Sequence, residues 1–439
     1  MPLDRRRFLA ASALGLTGMS QSGWLSRVAA AADRKQAKSC ILLWMSGGPS
    51  QLDTLDPKPG TDNGGEFSAI QTAVPGLQLA EHLPGLAREM ADVALIRSMS
   101  TKEGEHGRAT YLGHTGRLPS GAIQYPTLGS FVADALPNRE SDLPGFVSIA
   151  PNRFLAPEAF SPGFLGSQAA PLVVGDVNIV RAVGDQTGLS IANLAPPPGV
   201  RPDRVRRRLE YLNALQGQFR DGRDDAILVS HQTAYAKAVR MMESDAAEAF
   251  ETDSEPSALR DAYGRSLFGE GCLVARRLVE RGVKFVEVSL NGVDGNAGVG
   301  WDTHQDNFES VRRLCGVLDP AWSTLIRDLR DRGLLDSTLV VWMGEFGRTP
   351  KINELGGRDH SAAAWSTALC GAGIRGGQAI GRTSADGTLI EDRPVTMPDF
   401  LSTVCRALDI DPIETNLSNV GRPIPRVELD VEPIEELLG

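Results

Sequence analysis

The chain has 439 residues, of which 41% are hydrophobic and 23% are charged, an ordinary composition for a soluble globular protein. Its formal net charge of −10 argues against nucleic acid or an anionic membrane as a partner, because both require a basic surface. The cysteines lie far apart and show no zinc-motif spacing, so we expect buried free thiols at Cys40, Cys272, Cys315, Cys370 and Cys405.

Residues 1–32 carry the features of an export signal. Arg5 and Arg6 precede Phe8 and Leu9, and a short apolar run and a run of alanines follow. This order predicts a signal peptide, and the arginine pair is typical of the twin-arginine (Tat) pathway. The apolar run is too short to form a transmembrane segment. We therefore expect the twin-arginine export machinery as a partner and a periplasmic or secreted protein; the alternative is a basic N-terminal helix of a cytosolic protein.

The first predicted core strand covers residues 39–45, a continuous apolar run. In the loop that follows, Gly47 and Gly48 let the backbone approach a ligand closely, and Asp53 or Asp56 could supply an anionic oxygen. No Gly-Lys-Ser/Thr follows, so this loop is not a P-loop. An Asx turn leading into the next proline is equally compatible with the residues.

A second strand is predicted over residues 92–97, and a helix is predicted to begin near Glu105 or His106. The start of a helix offers free N–H groups to an anion, and Arg108 adds positive charge there. His106 is placed where it can touch a substrate. His114, two turns later, is interpreted as structural.

The rest of the chain reads as alternating strands and helices in one domain, residues 33–439. Short strands are predicted near 147–150 and 171–174, and a helical insertion is predicted over about 200–282. Helices are expected over 204–215, 227–242, 266–281, 310–332 and 394–409, with a short terminal helix over 428–439.

Two successive strands, 283–289 and 338–342, each lead into a loop that holds acidic and histidine side chains. The first loop carries Asp302 and His304; the second carries Glu345, Arg348, Asp359 and His360. Because parallel strands end at the same edge of a sheet, we expect these side chains to share one site. Acids with imidazoles can bind a divalent metal ion. The alternative for the second loop is a helix-capping acid on a surface loop.

Several stretches together resemble one family of exported bacterial proteins, the domain-of-unknown-function 1501 family. They are GGPSQLDTLDPKP, RSMSTKEGEHGRATYLGHTGR, WDTHQDNF, GEFGRTP, GRDH and GGQAIGRTSADG with PVTMPDF, from about residue 38 to 425. That family is similar to the alkaline phosphatase and sulfatase superfamily. The resemblance implies an α/β three-layer sandwich, a mostly parallel sheet with helices on both faces, that holds one or two divalent ions (Zn, Ca, Mg or Mn).

The resemblance also implies roles for individual residues. Asp302 and His304 resemble the Asp/His metal pair after a middle strand of the superfamily. Where a later strand ends in Asp-His, this chain has Glu345 and Phe346, and His360, beside Asp359, takes the remaining ligand place. The superfamily's metal-binding Asp after the first strand is replaced by Ser46-Gly47, so that only Asp53 or Asp56 could compensate.

The implied activity is hydrolysis of sulfate or phosphate esters, with a small-molecule or glycan ester as substrate. Arg108 and Arg348 would bind the tetrahedral anion. Thr115-Gly116-Arg117 matches the end of the sulfatase motif, yet the nucleophile position falls on His106 or Gly104. Three alternatives follow: His106 replaces the nucleophile, a metal-activated water attacks, or there is no catalysis. The rival function is a non-catalytic exported protein that binds sulfated or phosphorylated glycans.

Overall fold

A computed structural model describes residues 38–136, 141–175, 189, 200–220, 232, 235–236, 239–242, 244–293 and 298–439. The predicted signal peptide, residues 1–32, and most of the predicted helix over 227–242 lie outside the described residues. The expectations placed on those two segments therefore stay predictions.

The described residues form sixteen strands, of which eight build one central sheet. In chain order the strands are β1 Ser39–Met45, β2 Ala69–Gln71, β3 Gln78–Ala80, β4 Val93–Met99, β5 Phe146–Ile149, β6 Leu172–Val174, β7 Phe285–Leu290, β8 Thr338–Met343, β9 Gly347–Arg348, β10 His360–Ser361, β11 Trp365–Cys370, β12 Gln378–Ile380, β13 Arg382–Thr383, β14 Ile390–Asp392, β15 Thr415–Leu417 and β16 Pro423–Pro425.

The helices of the described residues are α1 Pro84–Glu89, α2 His106–Thr115, α3 Leu128–Ala135, α4 Pro202–Arg220, α5 Ser257–Tyr263, α6 Leu267–Glu280, α7 Asn307–Asp331 and α8 Met397–Ala407. Short 3₁₀ turns cover Pro157–Phe160, Gly163–Leu165, Ser167–Ala169, Asp245–Phe250, Thr252–Ser254, Leu335–Ser337 and Glu435–Leu437. The terminal helix expected over 428–439 is thus wrong: the chain makes only one 3₁₀ turn there. Within the described part of the chain, no helix is both long and apolar enough to cross a membrane.

The central sheet has the order β12-β4-β11-β8-β1-β7-β5-β6. β1 pairs in parallel with both β7 and β8, and only β11 runs antiparallel to its neighbours. Every residue of β1, β7 and β8 is buried, as the continuous apolar runs predict for strands covered on both faces.

Alternate residues of β1 point into two different cores. Ile41, Leu43 and Met45 pack with α1, α6 and α7 on one face of the sheet, whereas Cys40, Leu42 and Trp44 pack with α3 and α8 on the other. The predicted three-layer α/β architecture is therefore confirmed. All five cysteines are buried free thiols, as expected. α6 falls within the predicted helical insertion, although its buried face is part of the first core.

The topology brings four chain segments to one edge of the sheet. β1, β7 and β8 run in parallel, and their carboxyl ends are Met45, Leu290 and Met343. β4 runs in the same direction, because β11 is antiparallel to both β4 and β8. The loops after these strands therefore meet at one edge, and α2 begins there at His106.

Candidate functional site

The loop after β1 sits directly against the loop that holds Asp302. Gly47 has φ +113°, and a Cβ on it would lie 2.4 Å from the backbone nitrogen of Asp302. The N–H of Trp301 donates to the carbonyl of Ser46 at 3.1 Å, which ties the two loops together. Because an L side chain rarely adopts this φ and has no room, this approach requires glycine.

Three side chains from the segments that follow β7 and β8 converge on one point. The Nε2 atoms of His304 and His360 lie 3.0 Å apart. Asp302 Oδ1 lies 3.2 Å from the Nε2 of His304 and 3.1 Å from that of His360. These three atoms, which we call the Asp302 triad, therefore form a nearly equilateral triangle that brings together residues from two loops.

The outer nitrogens of the two imidazoles are already used. His360 Nδ1 lies 2.7 Å from the carbonyl oxygen of Gly104, which can only accept a hydrogen bond. His304 Nδ1 lies 2.9 Å from Asp359 Oδ1, and the hydrogen bond from His304 holds the pKa of that carboxyl below its usual value. Both Nδ1 atoms are therefore placed to donate, and a ring that carries its proton on Nδ1 directs its Nε2 lone pair into the triad.

This arrangement fits a divalent cation. Three lone-pair atoms in mutual contact repel one another unless a cation or a proton lies between them. Ligands about 2.0–2.2 Å from a shared ion lie roughly 3–3.5 Å from each other, and the observed separations are 3.0–3.2 Å. Imidazole nitrogens whose other N–H is fixed by a carboxylate or carbonyl are the usual form of metal-binding histidine.

His106, the first residue of α2, lies beside the triad. Its Nδ1 is 2.7 Å from Glu345 Oε1 and its Nε2 is 3.3 Å from Asp302 Oδ2. Burial by itself lowers the pKa of His106, but the carboxylates of Asp302 and Glu345 outweigh it and raise the pKa to about 9. Side-chain atoms of His106, Asp302 and His360 are also close enough together to hold a metal ion.

Two predicted metal ligands, Glu345 and Asp359, contact the Nδ1 atoms of histidines and do not enter the triad. Glu345 is buried, and its Oε1 accepts from the backbone N–H of Gly47 at 2.9 Å and contacts His106. Its Oε2 is buried without a hydrogen-bond partner. Asp359 is outside the triad and holds His304, with a further hydrogen bond from Asn353 at 3.2 Å. In this structure both acids orient a histidine.

Arg348 does not present a free guanidinium for an anion. It is fully buried, and it donates to the carbonyl oxygens of Gly47, Gly48 and Arg358. Its Nη2 also lies 2.7 Å from Asp302 Oδ1. Burial raises the pKa of Asp302, but the contacts with His106 and Arg348 hold it well below its usual value. The expected substrate arginine thus acts here as the counter-ion that fixes Asp302.

Arg108 and the N–H groups at the start of α2 already have hydrogen-bond partners. The Arg108 guanidinium forms a two-bonded ion pair with Glu103, at 2.8 and 2.9 Å. The Glu105 carboxylate accepts from the N–H groups of Gly107 and Arg108, each at 2.9 Å. The expectation of free N–H groups at this helix start is therefore wrong, because Glu105 caps them.

The acids of the loop after β1 are not brought to the triad. Asp53 is fully buried and pairs with Arg358 through distances of 2.7 and 3.0 Å, while Asn307 donates to it at 2.9 Å. Asp56 lies 3.0 Å from the Lys58 amine. Because Arg358 and Asn307 already occupy the Asp53 carboxylate, it offers no free ligand atom to the site.

Residues that sequence reasoning missed complete the site. The Phe346 ring centre lies 4.9 Å from that of His106 and 4.7 Å from that of His360. The Phe346 ring therefore restricts the rotation of both imidazoles. Asn353 donates to the carbonyl of His304 at 2.9 Å, and a Cβ on Gly357 would lie 2.0 Å from that carbonyl. An Asn three residues before a Gly-Gly pair indicates a turn in the sequence, but an apolar Phe gives no functional signal.

An open cleft of about 560 Å³ lies along α2, the helix that begins at His106. Its lining includes Glu105 and Gly107, the neighbours of His106 in the chain, together with Arg108 and Tyr111. The cleft is large enough for the organic part of a small ligand, whose reactive group could reach the start of α2.

These features define a three-layer α/β protein with a His/Asp cluster at the carboxyl edge of its sheet. The chain belongs to the DUF1501 family, described as "Protein of unknown function", which it matches over residues 37–438. The resemblance stated from the sequence motifs is therefore confirmed. No curated protein matches this sequence.

Several solved structures are similar to this chain. The PsFucS1 sulfatase from Pseudoalteromonas sp. is 12% identical, with a TM-score of 0.40 over 86% of this chain and 69% of that chain. The lipoteichoic acid synthase LtaP from Listeria monocytogenes is 11% identical, with a TM-score of 0.41 over 85% and 72%. A protein in the alkaline phosphatase superfamily from Vibrio parahaemolyticus is 12% identical, with a TM-score of 0.36 over 85% and 67%.

Proposed function

We propose that this protein is an exported metal-dependent hydrolase of sulfate or phosphate esters. The observation that carries the proposal is the triad of lone-pair atoms from Asp302, His304 and His360, separated by 3.0–3.2 Å. Such a cluster at the carboxyl edge of a parallel sheet is a typical place for a metal and its substrate.

Asp302, His304 and His360 would hold the divalent ion. Two imidazoles with one carboxylate favour zinc or a similar first-row ion over calcium or magnesium. When bound, the ion would polarise the ester oxygens and lower the pKa of a nearby water. Asp359 and the carbonyl of Gly104 hold the two rings in the required tautomer, and Arg348 fixes the Asp302 carboxylate.

His106 is placed to move the proton that hydrolysis requires. Water adds to the sulfur or phosphorus and releases a proton to solvent, the bond to the ester oxygen breaks, and the departing oxygen gains a proton from His106, which solvent then reprotonates. Glu345 fixes the Nδ1 of His106, so the Nε2 faces Asp302 and the triad. His106 would therefore act as the general acid, while the cleft along α2 receives the organic group.

The second candidate is a binding protein that keeps the fold without turnover, with a sulfated or phosphorylated glycan as ligand. One observation favours it: among the described residues, no hydroxyl or thiol side chain is hydrogen-bonded to His106, His304 or His360. A covalent intermediate on serine, threonine or cysteine has no visible support here.

Metal analysis combined with turnover decides between the two candidates. The mature chain, loaded in turn with zinc, manganese, magnesium and calcium, would be assayed on a panel of aryl sulfates and aryl phosphates. We expect turnover with at least one ion, and a fall of roughly a hundredfold or more in His106→Gln, which can hydrogen-bond but cannot carry the proton. His82→Gln, at a histidine packed on Phe67, is the matched control.

Each outcome of this experiment points to a different conclusion about the two candidate functions. Metal binding without turnover on any ester favours the binding protein. Turnover that survives His106→Gln unchanged removes His106 from the reaction and leaves the hydrolase proposal standing. Failure of the wild-type chain to retain any of the four ions contradicts the proposed metal centre and, with it, both the mechanism and the hydrolase.

A further inference from the structure

Helix α4 has no buried residue among the side chains that are described in it. Val205, Leu209 and Leu212 follow one another at helical spacing and are only half-buried. Leu215 continues the same stripe and is 45% exposed, while Tyr211 is 69% exposed. Val205, Leu209, Leu212 and Leu215 lie three or four positions apart, so the helix carries an apolar stripe on one face. Most surface helices bury such a stripe against a core.

The first two turns of α4 concentrate positive charge. Five arginines lie within eight residues and all are exposed: Arg201, Arg204, Arg206, Arg207 and Arg208. Asp203 pairs with two of them, at 3.3 and 2.7 Å. No described acid pairs with the other three. Cations at a helix N-terminus oppose the helix dipole, so this cluster does not serve the helix itself.

The arginines and the stripe lie side by side. Arg208 comes three residues after Val205 and four before Leu212, so it lies on the same helix face as the stripe, and its long side chain can place the guanidinium at the border of the stripe. Arg204 precedes Arg208 by four residues and lies on the same border. An apolar stripe bordered by arginines is the pattern of a helix that lies in the plane of a membrane interface.

We propose that α4 is a docking helix that lies on an anionic phospholipid surface. The apolar stripe would enter the boundary between headgroups and acyl chains, and the arginine guanidiniums would bind the lipid phosphates. A second copy of this chain fits less well, because packing two such faces would bring arginines against arginines. A polyanion without an apolar phase would leave the stripe exposed.

The charge of the whole chain does not oppose this proposal. The net charge of −10 argues against a membrane only when it is spread evenly. Screening at physiological salt limits each charge to about 8–10 Å, so a lipid surface responds to the segment that touches it. The basic turns of α4 present a local positive field on an otherwise acidic protein.

Vesicle flotation of the mature full chain tests the proposal. We expect binding to vesicles that contain phosphatidylglycerol and little binding to phosphatidylcholine alone. The triple variant Arg204→Gln, Arg206→Gln, Arg208→Gln should lower the partition coefficient roughly a hundredfold, because each arginine near the surface contributes roughly fivefold. The matched control replaces three exposed arginines elsewhere, Arg265, Arg312 and Arg382, by Gln and should bind as the wild type does.

Leu209→Gln tests the apolar half of the proposal with the charge unchanged. We expect it to lower binding at least tenfold, with circular dichroism confirming that the fold is kept. Equal binding to both vesicle types, or no binding by the wild type, would overturn the proposal. So would a Leu209→Gln chain that binds fully, or concentration-dependent dimers lost in Leu209→Gln, since the stripe would then have another role.

Discussion

The Nε2 atoms of His304 and His360 lie 3.0 Å apart although 56 positions separate the two residues in the chain. Their Nδ1 atoms donate to Asp359 and to the carbonyl of Gly104. Two lone pairs in contact are unfavourable in a partly buried site, so the arrangement persists only where a cation or a proton bridges them. This relationship is the basis for the metal proposal.

Removing either imidazole should therefore empty the centre. We expect His304→Ala and His360→Ala each to lower the bound divalent metal per chain, measured by elemental analysis of folded protein. Asp302→Ala should do the same, because its Oδ1 lies within 3.2 Å of both Nε2 atoms. His82→Ala is the control and should keep the wild-type content. Full metal in all three variants would show that the triad is not the binding site.

Asp359 should tune the affinity of the metal without contributing a ligand atom. Asp359→Asn keeps the shape but weakens the hydrogen bond that fixes the His304 ring. We expect the metal to bind 10–100-fold more weakly, as is usual for loss of such a carboxylate. Competition with a chelator of known affinity measures the change. Complete loss of metal would instead make Asp359 a ligand, as the sequence suggested.

Gly47 should be intolerant of any side chain. A Cβ there would lie 2.4 Å from the Asp302 nitrogen at φ +113°. We expect Gly47→Ala to displace the Asp302 loop and to lower metal affinity more than tenfold, or to prevent folding. Gly60→Ala is the matched control, because Gly60 also has a positive φ, +78°, but a Cβ there meets nothing within 4 Å. Equal effects would point to backbone strain alone as the cause.

The elements that sequence reasoning placed well are those set by local pattern. Continuous apolar runs predicted β1 and β8, and parallel order predicted that Asp302, His304 and His360 would meet. The sequence does not distinguish the candidate metal ligands from the residues that only orient them. Arg348 follows a strand as a substrate-binding residue would, yet it is fully buried and bound to Asp302. The direction of the Arg348 side chain decides between these two roles, and the spacing of residues along the sequence does not determine that direction.

The N-terminal arginine pair gives a separate prediction about the compartment. The twin-arginine receptor reads both side chains, so Arg5→Lys with Arg6→Lys should stop export of the folded protein. Cell fractionation with detection of the mature chain measures the effect. Arg7→Lys, next to the pair, is the matched control and should be exported. Unchanged export of the double variant would assign the chain to another route or another compartment.

The ion pairs of Glu255 should make the stability of the fold depend on pH. Its Oε1 lies 2.8 Å from Arg276 and 2.5 Å from Arg277. Burial alone raises the pKa of Glu255, but hydrogen bonds from these two arginines outweigh it and lower the pKa below its usual 4.5. The stabilisation is therefore complete above about pH 4.5 and is lost as the pH falls through the lower folded value.

We expect Glu255→Gln to lower the free energy of unfolding at neutral pH by about 2 kcal/mol, because it removes the charged hydrogen bonds to Arg276 and Arg277. Asp328 and Glu280 continue to pair with Arg276 in this variant. Urea denaturation over a series of pH values measures the difference, which should shrink toward zero as Glu255 is protonated in the wild type. Glu391→Gln, whose partner Arg382 lies 3.4 Å away in an exposed pair, should change little at any pH. A gap between wild type and Glu255→Gln that stays constant into the acid range would mean that the charge of Glu255 is not what stabilises this region.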